Sequence, residues 1–403
     1  MTSKHFYSTA NQMKTKRKVL AVTGIRSEYD ILFPVLKALQ ADDRFELKIA
    51  VSGAHLSDWH GFTLAKILDD GFEVADKLDC LLMTDRKTQR PKSTGILIQS
   101  LTQTVDREQP DFLLFVGDRE ESIATAIVGN YMDILVAHIG GGDPVFGNAD
   151  DPIRFAVSKL AHIHFATAKP YTDNLEQIGE EAFRIFFSGN PAICNIHETP
   201  ALPLQEVSDF LQWDITDGRY LVLIKHPLSS EKEEAAEQME ITLKSLQEFG
   251  TEHQVKTVGI FPNTDPGAYD ILRAIKRYDN SEYIHFFKTL PREIFVNLTR
   301  NCLCLAGNSS MGILEAPSYK LPVVNIGKRQ QGRLNAGNVN FVAHAGAAIK
   351  NALLQACFDE KYRSHIASLD NPYGDGKAPE FIVETLADID LKDKKWYTKE
   401  KLC

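Results

Sequence analysis

The chain has 403 residues, a formal net charge of -9, 43% hydrophobic residues and 25% charged residues. This length exceeds a comfortable single core, so two domains with a cleft between them are expected. The acidic balance argues against nucleic acid or an anionic membrane as the main partner, although a small anionic ligand needs only a few local arginines and helix termini.

The sequence pattern predicts neither a membrane span nor a signal peptide. No run approaches the roughly 18 consecutive apolar residues of a spanning helix. Residues 1–17 are polar and run into the basic segment KTKRK at 14–18, with no apolar h-region of a signal peptide behind it, so a solvated, poorly ordered leader is expected. The six cysteines lack metal-type or CxxC spacing, which favours reduced thiols and a cytoplasmic protein.

Strands alternate with helices through the first half. The predicted strands include VLAVTG, FELKIAVSG, FLLFVG and ILVAHI; the predicted helices include ILFPVLKALQ, HGFTLAKILDDG and SLTQTVDRE. Residues 77–94 show no clear pattern, and a further strand and helix lead to Gly189-Asn190-Pro191. This alternation specifies a parallel sheet with helices on both faces.

A second series of the same kind follows a proline-bearing segment, TPALPLQEVSDF, which we interpret as the connection between domains. Its strands are RYLVLIKHP, VKTVGIFPN, EYIHFFKTL, NCLCLAG and LPVVNIG, separated by helices at 230–249, GAYDILRAIKRY, REIFVNLTR and a helix that begins near Met311. The two halves share one layout, so we expect two Rossmann-like domains facing each other. EFIVETLADI near the end has helical spacing, but the pattern does not assign it to a domain.

Two successive strands of the first half end in acidic or glycine-rich loops. The acidic residues of these loops are Asp118, Glu120, Glu121, Asp143, Asp150 and Asp151. Parallel strands deliver their C-terminal loops to one edge of the sheet, where ligands bind in open α/β folds. Such a cluster suits general acid/base chemistry or a hydroxylated substrate, and solvated loop acids are an equal alternative.

Two strand-to-helix junctions are candidates for binding an anion. Gly307-Asn308-Ser309-Ser310 lies before a predicted helix and offers backbone N–H groups and a serine cap. Arg26 follows the first strand directly and offers a bidentate fork to a diphosphate. Neither GxGxxG nor the Walker pattern is present, so no nicotinamide or nucleoside-triphosphate cofactor is expected. His138, His162, His164 and His226 lack HExxH-type spacing, so no metal is expected either.

As a group, the motifs resemble a known family. In chain order they are Gly24-Ile25-Arg26-Ser27-Glu28-Tyr29, Gly117-Asp118-Arg119-Glu120, His138-Ile139-Gly140-Gly141-Gly142-Asp143, Ile153-Arg154 through Ser158-Lys159-Leu160-Ala161-His162, Ser188-Gly189-Asn190-Pro191, Pro262-Asn263-Thr264-Asp265, Gly307-Asn308-Ser309-Ser310 with Glu315-Ala316-Pro317, and Asn371-Pro372-Tyr373-Gly374-Asp375-Gly376. Together they resemble the UDP-hydrolysing UDP-N-acetylglucosamine 2-epimerases, which start sialic-acid and related nonulosonic-acid pathways. The resemblance covers nearly all of residues 18–390.

The resemblance implies a glycosyltransferase-B-like α/β fold, with two Rossmann-like domains facing across a cleft. We accordingly expect a leader at 1–17, an N-terminal domain at 18–195 on the acid/base and sugar side, and a UDP-binding domain at 196–376. Residues 377–403 are expected to form a helical segment that packs back on the N-terminal domain. The implied partners are a UDP-sugar and UDP, in a homodimer or homotetramer.

The implied reaction is anti elimination of UDP across C1–C2 to a 2-acetamidoglucal, followed by water addition that gives N-acetylmannosamine. The predicted catalytic residues are Asp118, Asp143, Asp151, Arg154 and His226. The predicted UDP-binding residues are Arg26, Asn263, Gly307, Ser309, Ser310 and Glu315, with Glu315 about two turns into its helix and on the ribose hydroxyls. The predicted sugar-binding residues are Glu120, His138, Gly141 and Asn190.

Two positions depart from the common family pattern. Relatives often carry glutamate at the position of Gly140 and lysine at that of Ile31, so those family roles do not transfer. Asp118 becomes the first candidate for the base because it ends a strand, followed by Asp143 and Asp151. The glycine could also make room for a second acetamido group, as in UDP-2,4-diacetamido-2,4,6-trideoxyglucose of the legionaminic-acid pathway. The same architecture is also compatible with a glycosyltransferase and with a non-catalytic nucleotide-sugar sensor.

Overall fold

The computed structural model describes residues 16–58, 61–83, 86, 88–144, 150–263, 265–279 and 281–400. The predicted leader lies outside the described residues except for its last two positions, of which Arg17 begins the first strand. Within these ranges no helix combines the length and the apolar character needed to cross a lipid bilayer.

The first half forms one seven-stranded sheet flanked by helices. Its elements are β1 (Arg17–Thr23), α1 (Arg26–Ala41), β2 (Phe45–Ser52), α2 (Leu64–Asp69), β3 (Val74–Leu78), α3 (Gln89–Glu108), β4 (Phe112–Val116), α4 (Glu120–Tyr131), β5 (Leu135–Ile139), α5 (Asp150–Leu160), β6 (Ile163–Ala166), α6 (Lys169–Gln177), β7 (Ile185–Phe187) and α7 (Ala192–Glu198). The strand order is β3-β2-β1-β4-β5-β6-β7, and the pairs are parallel.

The second half forms a six-stranded sheet with the same topology. Its elements are α8 (Leu204–Leu211), β8 (Tyr220–Ile224), α9 (Ala235–His253), β9 (Lys256–Ile260), α10 (Ala268–Ile275), β10 (Ile284–Phe287), α11 (Arg292–Asn301), β11 (Leu305–Gly307), α12 (Met311–Leu314), β12 (Val323–Ile326), β13 (Val339–Val342), α13 (Gly346–Phe358), α14 (Glu360–Ala367) and α15 (Ala378–Asp388). The order β10-β9-β8-β11-β12-β13 repeats that of the first sheet, and these pairs are parallel as well. The predicted α/β class with two Rossmann-like halves is confirmed.

The central strands are largely apolar runs because helices cover both faces of each sheet. Every residue of β4, β5 and β8 is buried. α1 places Leu32, Leu36 and Leu39 on one face, at the spacing of three to four residues that an amphipathic helix requires. Burying that face against the sheet fixes the start of α1 close to the end of β1.

The last helix packs on the first half of the chain. Ile382 and Leu386 of α15 share a hydrophobic core cluster with Leu32 of α1. The side chain of Arg17 donates to the carbonyl oxygens of Leu386, at 2.9 Å, and Ile389, at 2.6 Å. The exact domain boundaries stay a prediction.

Several elements differ from the sequence prediction. Residues 77–94 contain the end of β3 and the start of a longer α3, because VADKL is a partly exposed edge strand without a clear apolar pattern. β13, α13 and α14 were not predicted.

The helix after β11 is a single turn, so the prediction that Glu315 lies two turns inside it is wrong. Pro317 prevents the helix from continuing, since it has no N–H to donate and its ring disfavours helical geometry at Ala316.

Strand register brings the ligand loops of each half side by side. Val116 of β4 is opposite Ile139 of β5, so the loops that begin at Gly117 and Gly140 are neighbours. In the second sheet, Gly307 is opposite both Ile224 of β8 and Asn325 of β12. Loops from these two edges meet across a cleft, where the candidate site lies.

Candidate functional site

Asp118 and Arg154 form the core of the site on the first sheet. The Arg154 side chain donates to the Asp118 carboxylate and, through Nη1 at 2.8 Å, to the carbonyl oxygen of Gly140. Although burial alone would lower the pKa of Arg154, the carboxylates of Asp118, Asp143 and Asp151 raise it. One buried guanidinium therefore links two neighbouring loops and stays charged.

Asp143 is held from both sheets. Its Oδ2 accepts a hydrogen bond from Arg333 of the second half and lies 3.8 Å from Arg154 Nη1. Arg333 also donates to Gln330 Oε1 at 2.9 Å, and Gln330 donates to the Asn308 carbonyl oxygen at 3.1 Å. Asp143 Oδ1 is buried without a hydrogen-bond partner among the described residues. The predicted acid and the predicted anion loop are thus joined across the cleft.

His226 lies at the end of β8 in a fixed neutral form. The backbone N–H of Asn263 donates to its Nδ1 at 3.0 Å, which leaves Nε2 as the protonated donor nitrogen. Burial, and then the charge of Arg329, lower the pKa of His226 to about 3. The backbone N–H of His226 donates to Asn308 Oδ1 at 2.7 Å, and Asn308 Nδ2 donates to the carbonyl oxygen of His226 at 2.8 Å. His226 can therefore donate a hydrogen bond at neutral pH but carries no charge.

Two arginines that sequence reasoning did not single out converge on Asp265. Arg119 of the first half lies 3.8 Å from Asp265 Oδ1, and Arg329 of the second half lies 3.7 Å from Oδ2. Although burial alone would raise the pKa of Asp265, these guanidinium groups hold it below its ordinary value. Arg329 also donates to the Asn308 carbonyl oxygen at 3.3 Å. Positive charge from both halves is thereby concentrated beside the anion loop.

Arg26 also crosses the cleft. Its Nη2 donates to the Leu290 carbonyl oxygen at 2.5 Å, and its Nε lies 3.3 Å from Asp30 Oδ2. Arg292 of the second half donates to Asp30 Oδ1 at 2.8 Å. Arg26 therefore joins the two halves in this structure, and a ligand would have to share or replace these contacts.

The predicted anion loop has the backbone geometry expected at a close approach. Gly307 has φ +121°, and a Cβ there would lie 2.0 Å from the Ile224 carbonyl oxygen, so only glycine fits. Ser309 Oγ accepts from the Met311 N–H at 3.3 Å, and Ser310 is the N-cap residue of the single turn of α12. Glu315 follows that turn, and burial together with the charge of Asp30 raises its pKa to about 8.

The predicted sugar-binding residues are dispersed. Glu120 is paired with Arg90 of α3, and Asn190 Oδ1 accepts from the Ala192 N–H at 3.0 Å. The ring of His138 is fully buried and donates from Nε2 to the Gly117 carbonyl oxygen at 2.8 Å. His138 is therefore placed to support the Asp118 loop from behind and not to touch a ligand with its ring.

Gly141 and Asp151 complete the predicted set. A Cβ on Gly141 would lie 3.0 Å from Ser158 Oγ and 3.1 Å from His138 Nδ1, so this loop packs closely on the sheet. Asp151 is half-buried in the first turn of α5 and adds to the negative charge around Arg154. Residues 145–149, between these two positions, lie outside the described residues.

A buried pair of glutamates lies close to this edge of the sheet. Glu28 Oε2 accepts from the Gly24 N–H at 3.2 Å, and Glu121 Oε1 accepts from Ser52 Oγ at 3.2 Å. Burial and the charge of Glu121 raise the pKa of Glu28 well above its ordinary value. A Cβ on Gly24 would lie 1.8 Å from Glu121 Oε1, which explains the glycine. Within the described residues no group of three potential metal ligands comes together.

The additional arginines could have been found from their positions alone. Arg119 directly follows Asp118, and the segment KRQQGR with Arg329 and Arg333 follows β12 after one glycine. Both segments therefore begin where a parallel strand ends, which is the signal that identified the acidic loops.

Comparisons with known proteins find relatives over most of the chain. A family model described as UDP-N-acetylglucosamine 2-epimerase matches residues 37–387. The UDP-N,N'-diacetylbacillosamine 2-epimerase (hydrolyzing) of Legionella pneumophila is 31% identical over 375 residues, which cover 93% of this chain and 97% of that protein. The UDP-N-acetylglucosamine 2-epimerase of Neisseria meningitidis serogroup B is 28% identical over 351 residues, covering 86% of this chain and 89% of the relative.

The fold has solved counterparts. The crystal structure of UDP-GlcNAc 2-epimerase from Neisseria meningitidis bound to UDP-GlcNAc superposes with a TM-score of 0.79 at 21% identity, covering 92% of this chain and all of that one (100%). At this identity, the likeness establishes the fold, which is the predicted glycosyltransferase-B-like arrangement.

Proposed function

The chain belongs to the UDP-N-acetylglucosamine 2-epimerase family, and we propose that it is a hydrolysing enzyme that converts a UDP-2-acetamido sugar to UDP and the free 2-epimer. The observation that supports this most is the carboxylate cluster of Asp118 and Asp143, held by Arg154 and Arg333 between the ligand edges of two sheets. Such a cluster combines a proton acceptor with groups that can stabilise a leaving anion.

The proposed first step is an elimination. A carboxylate takes the proton from C2 while the C1–O bond breaks and its electron pair leaves with UDP, so a C1–C2 double bond forms. Since no carbonyl activates C2–H, proton removal must be coupled to departure of the diphosphate. Asp118 ranks first as the base because β4 and Arg154 hold it rigidly, and Asp143 and Asp151 follow.

The second step adds water to the 2-acetamidoglucal. The hydroxyl group attaches at C1 and a proton is delivered to the opposite face of C2, which inverts that centre and releases the free sugar. Asp143 has one buried oxygen without a partner among the described residues, and it is the second acid/base candidate. Two separately held carboxylates would allow removal and delivery of the proton on different faces.

The leaving diphosphate needs positive charge from both halves. Arg119 and Arg329 already converge on Asp265, and Arg26 lies at the first strand-to-helix junction. We assign these guanidinium groups to the diphosphate, together with Ser309 and Ser310 of the anion loop. Charged hydrogen bonds of this kind strengthen as negative charge develops on the leaving group. His226 offers a neutral N–H donor and Glu315 accepts from the ribose hydroxyls in the same proposal.

Two substrates fit this chemistry. UDP-N-acetylglucosamine is the main proposal, with N-acetylmannosamine as the product. Gly140 favours UDP-2,4-diacetamido-2,4,6-trideoxyglucose as a second candidate, because it leaves the sugar loop without a side chain, and one relative is named for that class of substrate. A cytoplasmic homodimer or homotetramer remains the expected setting.

Incubation with each UDP-sugar tests the proposal. We expect free UDP and a reducing sugar of inverted C2 configuration from one of them, identified by NMR. A glycosyltransferase would instead need an acceptor and leave C2 unchanged, and a sensor would bind without releasing UDP. Either result would overturn the proposal.

A further inference from the structure

The C-terminal tail reaches the end of the helix that carries Arg154. Lys399 Nζ donates to the carbonyl oxygens of Ser158, at 3.2 Å, and Lys159, at 2.8 Å, at the C-terminal end of α5. The same nitrogen donates to Glu180 Oε2 at 2.7 Å. An amine at this position satisfies carbonyl groups that a helix end leaves open and opposes the negative end of the helix dipole.

Glu180 ties this contact to the sheet. Its buried carboxylate also lies 2.8 Å from Lys159 Nζ and 2.9 Å from His164 Nε2 on β6. Although burial alone would raise the pKa of Glu180, His164, Lys399 and Lys159 lower it to about 2. The carboxylate is therefore charged and depends on these donors, since a buried charge is costly without partners.

Arg184 fixes the backbone of the tail. It is fully buried and donates to the Trp396 carbonyl oxygen at 2.8 Å, as well as to the carbonyl oxygens of Lys395 and Thr398. Three carbonyl groups on one guanidinium set the path of residues 395–398. Lys399 consequently enters the α5 site at a defined position.

Two series of contacts lead from Lys399 and Glu180 towards Asp118. Along α5, Ser158 Oγ donates to the Arg154 carbonyl oxygen at 3.0 Å, and Arg154 binds Asp118. Across the sheet, His164 is paired in register with His138, whose ring bonds the Gly117 carbonyl oxygen next to Asp118. The tail thus contacts α5 directly and reaches the strands beside the first candidate base through Glu180 and His164.

We propose that Lys399 is a positioning residue for the proposed reaction. It acts through Glu180 and the end of α5 to hold the Arg154 and Asp118 side chains in place. Lys399 touches no substrate in this proposal. The proposal rests on the proposed function for its kinetic consequence, but its structural consequence can be measured without any activity.

Lys399→Met is the principal test because methionine keeps most of the side-chain length and removes the donor. Displacing a catalytic group by about 1 Å costs on the order of 100-fold, so we expect kcat to fall by about 10- to 100-fold with UDP affinity within about twofold of the parent. The matched control is Lys392→Met, which removes an exposed lysine of the same tail. Parental kcat in Lys399→Met, or an equal loss of UDP affinity, would overturn the proposal.

Hydrogen exchange gives the readout that does not depend on catalysis. In Lys399→Met, we expect faster amide exchange in peptides spanning 153–160 and 115–119, with the second sheet unchanged. If the parent proves inactive while this exchange pattern appears, the proposed function fails and the positioning link stands. Unchanged exchange in both peptides would overturn the link. Should Lys399→Met not fold, Lys399→Gln is the second variant: its shorter, neutral amide cannot serve the three acceptors of the amine, so kcat should still fall, and parental kcat would overturn the proposal.

Discussion

Arg333 donates a hydrogen bond to the Asp143 carboxylate although 190 positions separate them in the sequence. Both residues are buried, at 7% and 4% exposure, and they lie on loops of different halves of the chain. A buried ion pair is weak evidence for stability as a whole, but removing one partner strands the other charge away from water. This pair therefore joins the two halves of the chain at the candidate site.

Arg333→Met is expected to destabilise the fold by up to about 3–5 kcal/mol, because the buried Asp143 carboxylate loses its hydrogen bond to Arg333 and retains only the more distant charge of Arg154, at 3.8 Å. The double variant Arg333→Met/Asp143→Leu should recover a substantial part of that loss. Urea unfolding of the parent, both single variants and the double variant gives the coupling energy. The exposed pair Arg273 and Asp270 is the control, and Arg273→Met should cost at most about 1 kcal/mol. Strict additivity at 333 and 143 would contradict the account.

Arg26→Ala should weaken UDP binding by roughly 1.5 to 3 kcal/mol, the contribution of a charged hydrogen bond. Calorimetric titration with UDP measures this directly. Lys37→Ala removes an exposed cation from the same helix and should leave the affinity unchanged. Should Arg26→Ala bind UDP like the parent, Arg26 would be only a link between Asp30 and Leu290.

Glu315 should make UDP binding depend on pH. Its pKa of about 8 keeps it neutral at pH 7, whereas ribose hydroxyls bind best to a carboxylate. Binding should then release protons, and affinity should rise between about pH 7 and 8. Calorimetry in buffers of different ionisation enthalpy measures the number of protons released. The same measurement on Glu315→Gln gives the protons released by UDP itself, and the difference belongs to Glu315. Equal proton release in the parent and Glu315→Gln would exclude this role.

The same raised pKa has the opposite effect on folding. A carboxyl group that is harder to ionise when folded contributes stability that is fully present below its unfolded pKa and is lost as the pH rises through about 8. Unfolding of unliganded Glu315→Gln should accordingly show less loss of stability between pH 7 and 9 than the parent.

Asp118→Asn keeps the shape of the first candidate base and removes its capacity to take a proton. Turnover should fall by about 10²- to 10⁴-fold, the usual contribution of general acid/base catalysis, while UDP affinity stays nearly constant. Asp133→Asn, at an exposed turn before β5, is the control. Full turnover in Asp118→Asn would move the assignment to Asp143 or Asp151, whose asparagine variants belong in the same series.

The central strands and the ligand edges could be predicted because their causes are local. FLLFV is apolar throughout and LVAHI is apolar except for His138, since helices cover both faces, and each run ends where its loop begins. The cleft contacts could not be predicted in this way. Nothing near Asp143 in the sequence indicates Arg333, and nothing near Arg154 indicates Lys399.

The short α12 shows a different limit of sequence reasoning. Apolar spacing in MGIL favours a helix, but Pro317 ends it after one turn and changes the position of Glu315. The His138 motif was identified for its place in the site, and the structure buries the ring behind the loop. A pattern can thus indicate which loop matters before it indicates which side chain faces the ligand.

The most direct measurement of the central claim is the fate of the hydrogen at C2. The protein is incubated in D2O with the UDP-sugar that it cleaves, and the released sugar is examined by NMR and mass spectrometry. The account predicts one deuterium at C2 with inverted configuration in every product molecule. Release of a sugar that retains its C2 hydrogen and its configuration would contradict the proposed elimination and re-addition.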